Sequence, residues 1–290
     1  MMNDNNDKQL VNNVAVVGIG LIGGSMALAL KEKNIAGKIY GVDANSSHCE
    51  KAMALGLVDE IQTMEEAIRL SDVIILAVPV NIADALLPRI LQLSEGKVVM
   101  DVGSTKNAIC QSAATSVNSH RFVATHPMWG TEFSGPEAAV TGAFVNKAVV
   151  ICDKKNSAPD AVSLVESIYK RLGMHILFMD SVSHDVHTAY ISHISHISSF
   201  ALANTVLEKE KEDENIFELA SGGFESTVRL AKSNIDTWVP VFKQNKENVL
   251  DVLNEHIAQL KKFKSCLEKE NFEYLGELIQ NANKIKRILK

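Results

Sequence analysis

Over the first 180 residues, short β-branched or aliphatic runs alternate with stretches of helical periodicity. Val14-Ala-Val-Val-Gly18 predicts a strand, Leu21 to Lys33 a helix and Lys38 to Asp43 a second strand. Val73 to Val78 and Lys97 to Asp101 are continuous apolar runs, the pattern of strands covered on both faces. Helical stretches from Ile82 to Leu93 and Lys106 to Ala114 separate the next strand candidates, and Phe122 to Thr125 is one of them. Ala148 to Cys152 and His175 to Phe178 are two more, flanking a helix from Ala158 to Leu172. Strand and helix in regular alternation predict an α/β domain, a parallel sheet with helices on both sides.

Past Asp180 the strand signals stop. Val249, Leu250, Leu253, Ile257 and Leu260 recur at helical spacing, as do Leu275, Leu278, Ile279, Ala282, Ile285 and Leu289. The break near Ser181 divides the chain into an α/β domain, residues 1–180, and an all-α domain, residues 181–290. The second part carries more apolar stripe than a helical monomer of its size can bury, which points to a dimer. Glu208 to Glu214 is a charge run, read as a solvated helix end and loop. There is no internal repeat.

Composition narrows the class. Of 290 residues 46% are apolar and 22% charged, ordinary for a soluble enzyme. A formal charge of −6 leaves no excess of cations to neutralise nucleic-acid phosphates. No apolar run is long enough to span a bilayer, and Met1 to Asn13 lacks the apolar core of a signal peptide, so it reads as a solvated tail. The four scattered cysteines, without a Cys-x-x-Cys pair, fit unpaired thiols in a reducing compartment, with cytoplasm the expected location.

Gly18-Ile-Gly20-Leu21-Ile22-Gly23 has the glycine spacing of a dinucleotide fingerprint, directly after a predicted strand and at the start of a predicted helix. In that setting Gly18 allows the tight turn, Gly20 lets the backbone approach a pyrophosphate, and Gly23 packs helix on strand. The pyrophosphate would meet unpaired N–H groups at the helix start. Asp43 ends the second strand, where a carboxylate accepts hydrogen bonds from ribose hydroxyls and repels a 2′-phosphate. The following Ala44-Asn-Ser-Ser47 offers no arginine for that phosphate, so NAD is the expected cofactor. Ala77, Val78 and Pro79, closing the third predicted strand, and Ser104, beyond the fourth, complete the cofactor set.

Three further segments carry a family likeness: Asp101-Val-Gly-Ser104-Thr-Lys106, Thr125-His126-Pro-Met-Trp-Gly-Thr131-Glu132, and His184 to His196 with Gly222-Gly-Phe-Glu-Ser-Thr-Val-Arg229 beyond. With the fingerprint, in this order and spacing, the chain resembles the prephenate/arogenate dehydrogenase family from Val14 to about Lys262. The resemblance implies an N-terminal Rossmann domain followed by a C-terminal helical dimerisation domain. It implies NAD-dependent oxidative decarboxylation of prephenate to 4-hydroxyphenylpyruvate, on the route to tyrosine. Some members carry an ACT domain or a fused chorismate mutase; the stretch after the helices is too short for either.

By the same resemblance His126 accepts the proton of the substrate C4 hydroxyl, a task only a neutral imidazole can perform. The adjoining Pro127 suggests a loop. Ser104 is implied to hold the hydroxyl and the histidine, although it could equally cap the helix starting near Lys106. At about 100° per residue, His184, Ser192, Ser195 and His196 share one helix face, with His187 and His193 pointing elsewhere. The family places the matches of His184, Ser192 and His196 at the substrate. Ser195 stands where a proline is common, which implies a less kinked helix. Arg229 is implied to bind a substrate carboxylate through its guanidinium fork. Glu132, with Thr131 beside it, is implied at the pocket entrance, and Trp238 at the pocket near the subunit interface. Lys232 reads as an ordinary surface cation.

The two His-x-x-His pairs do not make a metal site, because one histidine of each leaves the shared face. Arogenate dehydrogenase, whose substrate differs by one amino group, stays open as an alternative. A 3-hydroxyacid dehydrogenase would need a Gly-x-x-Gly-x-x-x-Lys pattern, which this chain lacks, and an NAD-binding sensor would not need Ser104, His126 and Arg229 together.

Overall fold

The computed structural model describes residues 8–211 and 216–288. The first seven residues of the predicted tail, residues 212–214 of the charge run and Leu289 of the second stripe lie outside them. Eight strands form one sheet: β1 (Val11–Val17), β2 (Ala36–Val42), β3 (Glu60–Ile61), β4 (Val73–Leu76), β5 (Val98–Asp101), β6 (Phe122–Pro127), β7 (Ala148–Cys152) and β8 (His175–Met179). They lie in the order β3-β2-β1-β4-β5-β6-β7-β8. The connecting helices are α1 (Leu21–Glu32), α2 (Ser46–Ala54), α3 (Met64–Leu70), α4 (Val80–Leu93), α5 (Asn107–Ala114) and α6 (Pro159–Arg171).

The two continuous apolar runs form β4 and β5, every residue of which is buried. One face of the sheet packs residues such as Val14, Val16, Ile39 and Ile75 against α1 and α6, the other Ala15, Ile74, Leu76 and Val99 against α4 and α5. Pairing is parallel except between β6 and β7, which run antiparallel with His126 opposite Val150. The expected all-parallel sheet is therefore mixed, because the 20-residue connection at 128–147 returns as a plain reversal instead of a helical crossover. A second correction concerns His126. It lies inside β6 and not in a loop; Pro127 is the terminal strand residue, where a missing N–H is tolerated.

After Met179 the structure is helical: α7 (Ser181–Thr188), α8 (Ile194–Glu210), α9 (Gly222–Val228), α10 (Ile235–Gln244), α11 (Lys246–Glu268) and α12 (Phe272–Ala282). A π turn at Ala189–His193 joins α7 to α8 without interrupting the helix. The helical core is small, with Ala189, Val249 and Val252 at its centre. No helix among the described residues is long and apolar enough to cross a membrane.

Candidate active site

The glycine turn joins β1 to α1. Gly18 has φ +93°, and a Cβ there would sit 2.5 Å from the Ala77 carbonyl oxygen; at Gly23 it would sit 1.9 Å from the Gly18 oxygen. Both positions exclude a side chain for reasons of backbone packing. Gly20 differs: a Cβ there meets nothing within 4 Å, so its backbone faces open space. Gly20 also caps α1 without a side chain, and the first turn, which begins Leu21, Ile22, Gly23, holds no acidic residue. Its N–H groups and partial positive charge are thus available to an anion, and the cradle fits a dinucleotide pyrophosphate.

Asp43 lies just past β2 and accepts the Ile19 N–H through Oδ2 and the Asn45 N–H through Oδ1, each at 2.9 Å. It fastens the glycine turn to the second strand and keeps lone pairs for ribose hydroxyls. It is not the cap of α2, which is Asn45. Ala77 is bonded to Val17 across the strand ends, and Val78 and Pro79 lead into α4 beside the glycine turn.

The second cluster lies where the two halves of the chain meet. His126 Nδ1 is 2.9 Å from His184 Nε2, and His184 Nδ1 is 2.8 Å from Asp185 Oδ1. Asp185 also accepts the N–H groups of Lys106 (2.8 Å) and Asn107 (2.9 Å) at the start of α5. The carboxylate therefore acts as acceptor throughout, so His184 donates from Nδ1 and accepts at Nε2. His126 must then donate from Nδ1, which leaves the lone pair on Nε2. Burial, reinforced by His184, Lys106 and His193, holds the His126 pKa well below its ordinary value. A neutral imidazole with a directed lone pair can take a proton at neutral pH.

Beneath His126 lies a buried polar support. Lys106 Nζ pairs with Asp101 and donates to the Thr125 carbonyl (2.8 Å), and the Thr125 N–H donates to Asp101 Oδ1 (3.0 Å). The Thr125 hydroxyl reaches Tyr169 at 2.6 Å. Such a pair fixes the backbone next to His126 at some desolvation cost. Ser104 is half-buried in the turn between β5 and α5. Asp185 fills the capping role there, which leaves the Ser104 hydroxyl free of that task.

Six residues past His126, Glu132 Oε2 accepts from Arg229 Nη1 at 2.7 Å, a further bond between the halves. Its own backbone N–H and the guanidinium hold the Glu132 carboxyl below the usual range. Arg229 follows α9 and keeps about half its side chain exposed, with room for a further ligand. Thr131 is exposed and caps its own turn, accepting the Phe133 N–H at 3.3 Å. Lys232 sits 3.8 Å from Glu225, with its charge also near enough to help lower the Glu132 carboxyl.

On the helical wall, His196 stacks on Trp238 with centroids 3.4 Å apart. Its Nδ1 donates to the Ser192 carbonyl (3.0 Å), and burial lowers its pKa, with Arg229 close enough to add to the effect. The Ser192 side chain is half-buried and Ser195 bonds back to Ile191 at 3.4 Å. His187 is exposed, as its position on the wheel predicts. His193 is a correction: it is fully buried beside His184 and His196. The π turn places an extra residue in the helix, rotating the residues after it by about 100° relative to an α-helical wheel.

Asp185 and Asn245 are residues that sequence reasoning missed. Asp185 adjoins His184 in the polar stretch, and that adjacency was its available signal. Of the thiols, burial pushes Cys152 up to about 12 and Cys110 higher still, so neither supplies a thiolate.

A glycine cradle for a nucleotide on the Rossmann sheet, with an oriented imidazole where that sheet meets the helices, defines a nucleotide-dependent oxidoreductase. The sequence profile of the prephenate dehydrogenase nucleotide-binding domain matches residues 26–178, and that of the prephenate dehydrogenase dimerization domain matches residues 180–281. The chain belongs to the prephenate dehydrogenase family.

A crystal structure of prephenate dehydrogenase from A. aeolicus, in complex with hydroxyphenyl propionate and NAD+, superposes with a TM-score of 0.87 at 31% identity, covering 96% of this chain and 97% of that one. Prephenate dehydrogenase of Bacillus subtilis is 29% identical over 94% of this chain and 75% of its own length. Cyclohexadienyl dehydrogenase of Zymomonas mobilis is 28% identical over 96% of both.

Proposed function

We propose that this chain oxidises and decarboxylates prephenate to 4-hydroxyphenylpyruvate with NAD, a step toward tyrosine. The observation that carries the reading is the His126–His184–Asp185 relay, which leaves an unprotonated Nε2 at the junction, with the half-exposed Arg229 cation on the same loop-to-helix seam. Residues 1–180 hold cofactor and base, and residues 181–290 supply the substrate wall and a homodimer interface.

Prephenate carries a C4 hydroxyl, and at C1 a carboxylate and a pyruvyl group. NAD, held by Gly18, Gly20, Leu21, Ile22, Gly23, Asp43 and the 77–79 turn, supplies the hydride acceptor. His126 Nε2 takes the hydroxyl proton as the C4 hydride leaves, and Ser104 orients that hydroxyl. His184 and Asp185 hold the ring in its accepting tautomer and stabilise the imidazolium that forms. Arg229 binds a substrate carboxylate, with Glu132 keeping the guanidinium in place until substrate arrives and Thr131 shaping the mouth. Loss of the C1 carboxylate as CO₂ aromatises the ring and makes the reaction effectively irreversible. His196, Ser192 and Trp238 flank the side chain.

Prephenate is favoured over arogenate because the wall of His196, Ser192 and Trp238 itself presents no carboxylate to an ammonium group. The deciding assay follows NADH or NADPH formation with prephenate and with arogenate, each with NAD and NADP. Prephenate with NAD should give the highest kcat/KM. Faster oxidation of arogenate would overturn the substrate, and equal use of NADP would overturn the role of Asp43.

A further inference from the structure

We infer that His193 is a positioning residue for the reaction, tying the Asp185 end of the relay through Asn245 to the Trp238–His196 stack. The inference deepens the dehydrogenase reading and rests on it. His193 closes the π turn, is 0% exposed, and touches neither of the two bonds that define the site. Asn245, also buried, donates from Nδ2 both to the Asp185 carbonyl (2.7 Å) and to His193 Nδ1 (3.1 Å). Its Oδ1 accepts from Asn248 at 2.7 Å, which fixes the orientation of the amide.

The consequence for the imidazole is specific. Nδ1 is an acceptor, so the neutral ring carries its proton on Nε2. Burial holds His193 at about 4, despite Asp185 nearby, so the ring is neutral at pH 7. The Nε2–H is then a buried donor, and it has no hydrogen-bond partner among the described residues. An unpaired buried donor costs free energy, and native structures rarely leave one without a use. Here the surroundings supply one. Trp238 and Phe242 both stand nearly perpendicular to the imidazole, at 81°, with centroids 5.9 and 6.4 Å away. A perpendicular pair is the geometry that an N–H edge on an aromatic face requires. Trp238 thus meets both imidazoles, His193 perpendicular to it and His196 stacked on it. The indole on which the substrate packs is set by His193, and the same imidazole shares Asn245 with the backbone of the catalytic relay.

Steady-state kinetics of His193→Asn test this, with the parent assayed alongside. Asparagine keeps an acceptor for Asn245 and removes the Nε2–H edge, so KM for prephenate should rise roughly 10-fold. By the same reasoning kcat should stay within about two-fold and KM for NAD should stay level. His193→Gln returns an amide N–H near the Nε2 position and should recover part of the loss. In a Trp129→Phe background, where Trp238 is the remaining tryptophan, the emission of His193→Asn should shift and that of His193→Gln should move back. A prephenate KM within about two-fold of the parent, or a fall in kcat matched by a rise in KM for NAD, overturns the inference. If His193→Asn does not fold, His193→Gln is read against the parent by the same two measurements, and an unchanged emission overturns it equally. Failure of the parent to oxidise prephenate would instead sink the function proposed above.

Discussion

On β4, Ile74, Ile75 and Leu76 are sealed from solvent by helices on either side of the sheet, whereas on α11 Leu260 and Leu267 stand 55% and 59% exposed. Phe272, at the start of α12, is 62% exposed. Apart from its edge strand β8, where Leu177 and Phe178 stand exposed, the sheet half closes its own core, and the helical half leaves its apolar stripes uncovered. Chemistry divides along the same line. The nucleotide cradle and His126 sit on strand ends whose positions are set by a finished core. The groups proposed for substrate, His196, Trp238 and Arg229, sit on helices that need a covering surface. A base must be held to a fraction of an ångström, which a closed sheet provides. A substrate wall can be completed by assembly.

The largest expected effect tests the sheet side of this division. His126→Asn removes the accepting nitrogen without disturbing β6, and kcat should fall by roughly 10²–10⁴-fold. NAD affinity, measured by fluorescence quenching, should stay near that of the parent. Turnover close to normal would take the base away from the sheet half and leave the comparison without its chemical side.

Legibility in the sequence depends on how local each signal is. The buried runs of β4 and β5 and the span Ala148–Cys152 can be read directly, because a strand covered on both faces tolerates little but aliphatic residues. The stretch from Ser46 to Leu70 is harder to read, although Asn45 caps α2 and Thr63 accepts the Glu66 N–H at the start of α3. Those signals are short and the segments weakly apolar. The antiparallel return of β7 cannot be read, since strand direction depends on the path of a connection and not on alternation. In the site, His126 and His184 stand out separately in the sequence, but their contact spans 58 residues and Asp185 reaches Lys106 across 79. The burial of His193 is hidden by the π turn, which breaks the 100° rule on which a helical wheel depends.

The next effect tests the open side. Leu260→Glu with Leu267→Glu changes two positions already exposed in a single chain, so each subunit should keep its fold. In a homodimer that covers α11, each carboxylate would be buried without a partner. Dissociation should become easier by about 100-fold, on the scale of two interface positions at about 1.4 kcal/mol each. Sedimentation velocity over a concentration series reads this. An unchanged dimer would mean that the α11 stripe is not the covered surface.

The smallest effect separates binding from chemistry within the site. Arg229→Ala removes a guanidinium that bonds Glu132 from the helical side while the relay on the sheet side stays intact. Truncating a fully desolvated charge partner costs about 2–5 kcal/mol, but Arg229 is about half exposed, and water screens much of its attraction for a carboxylate. A rise of roughly 10-fold in KM for prephenate is therefore expected, with KM for NAD unchanged. Arg229→Lys should recover only part of the loss, because an ammonium cannot reproduce the two parallel bonds of the fork. Glu132→Gln is the control, since it frees the guanidinium and keeps the cation. If Arg229→Ala lowers kcat as steeply as His126→Asn, the helical half takes part in the transition state itself, and the division between a chemical half and a binding half fails.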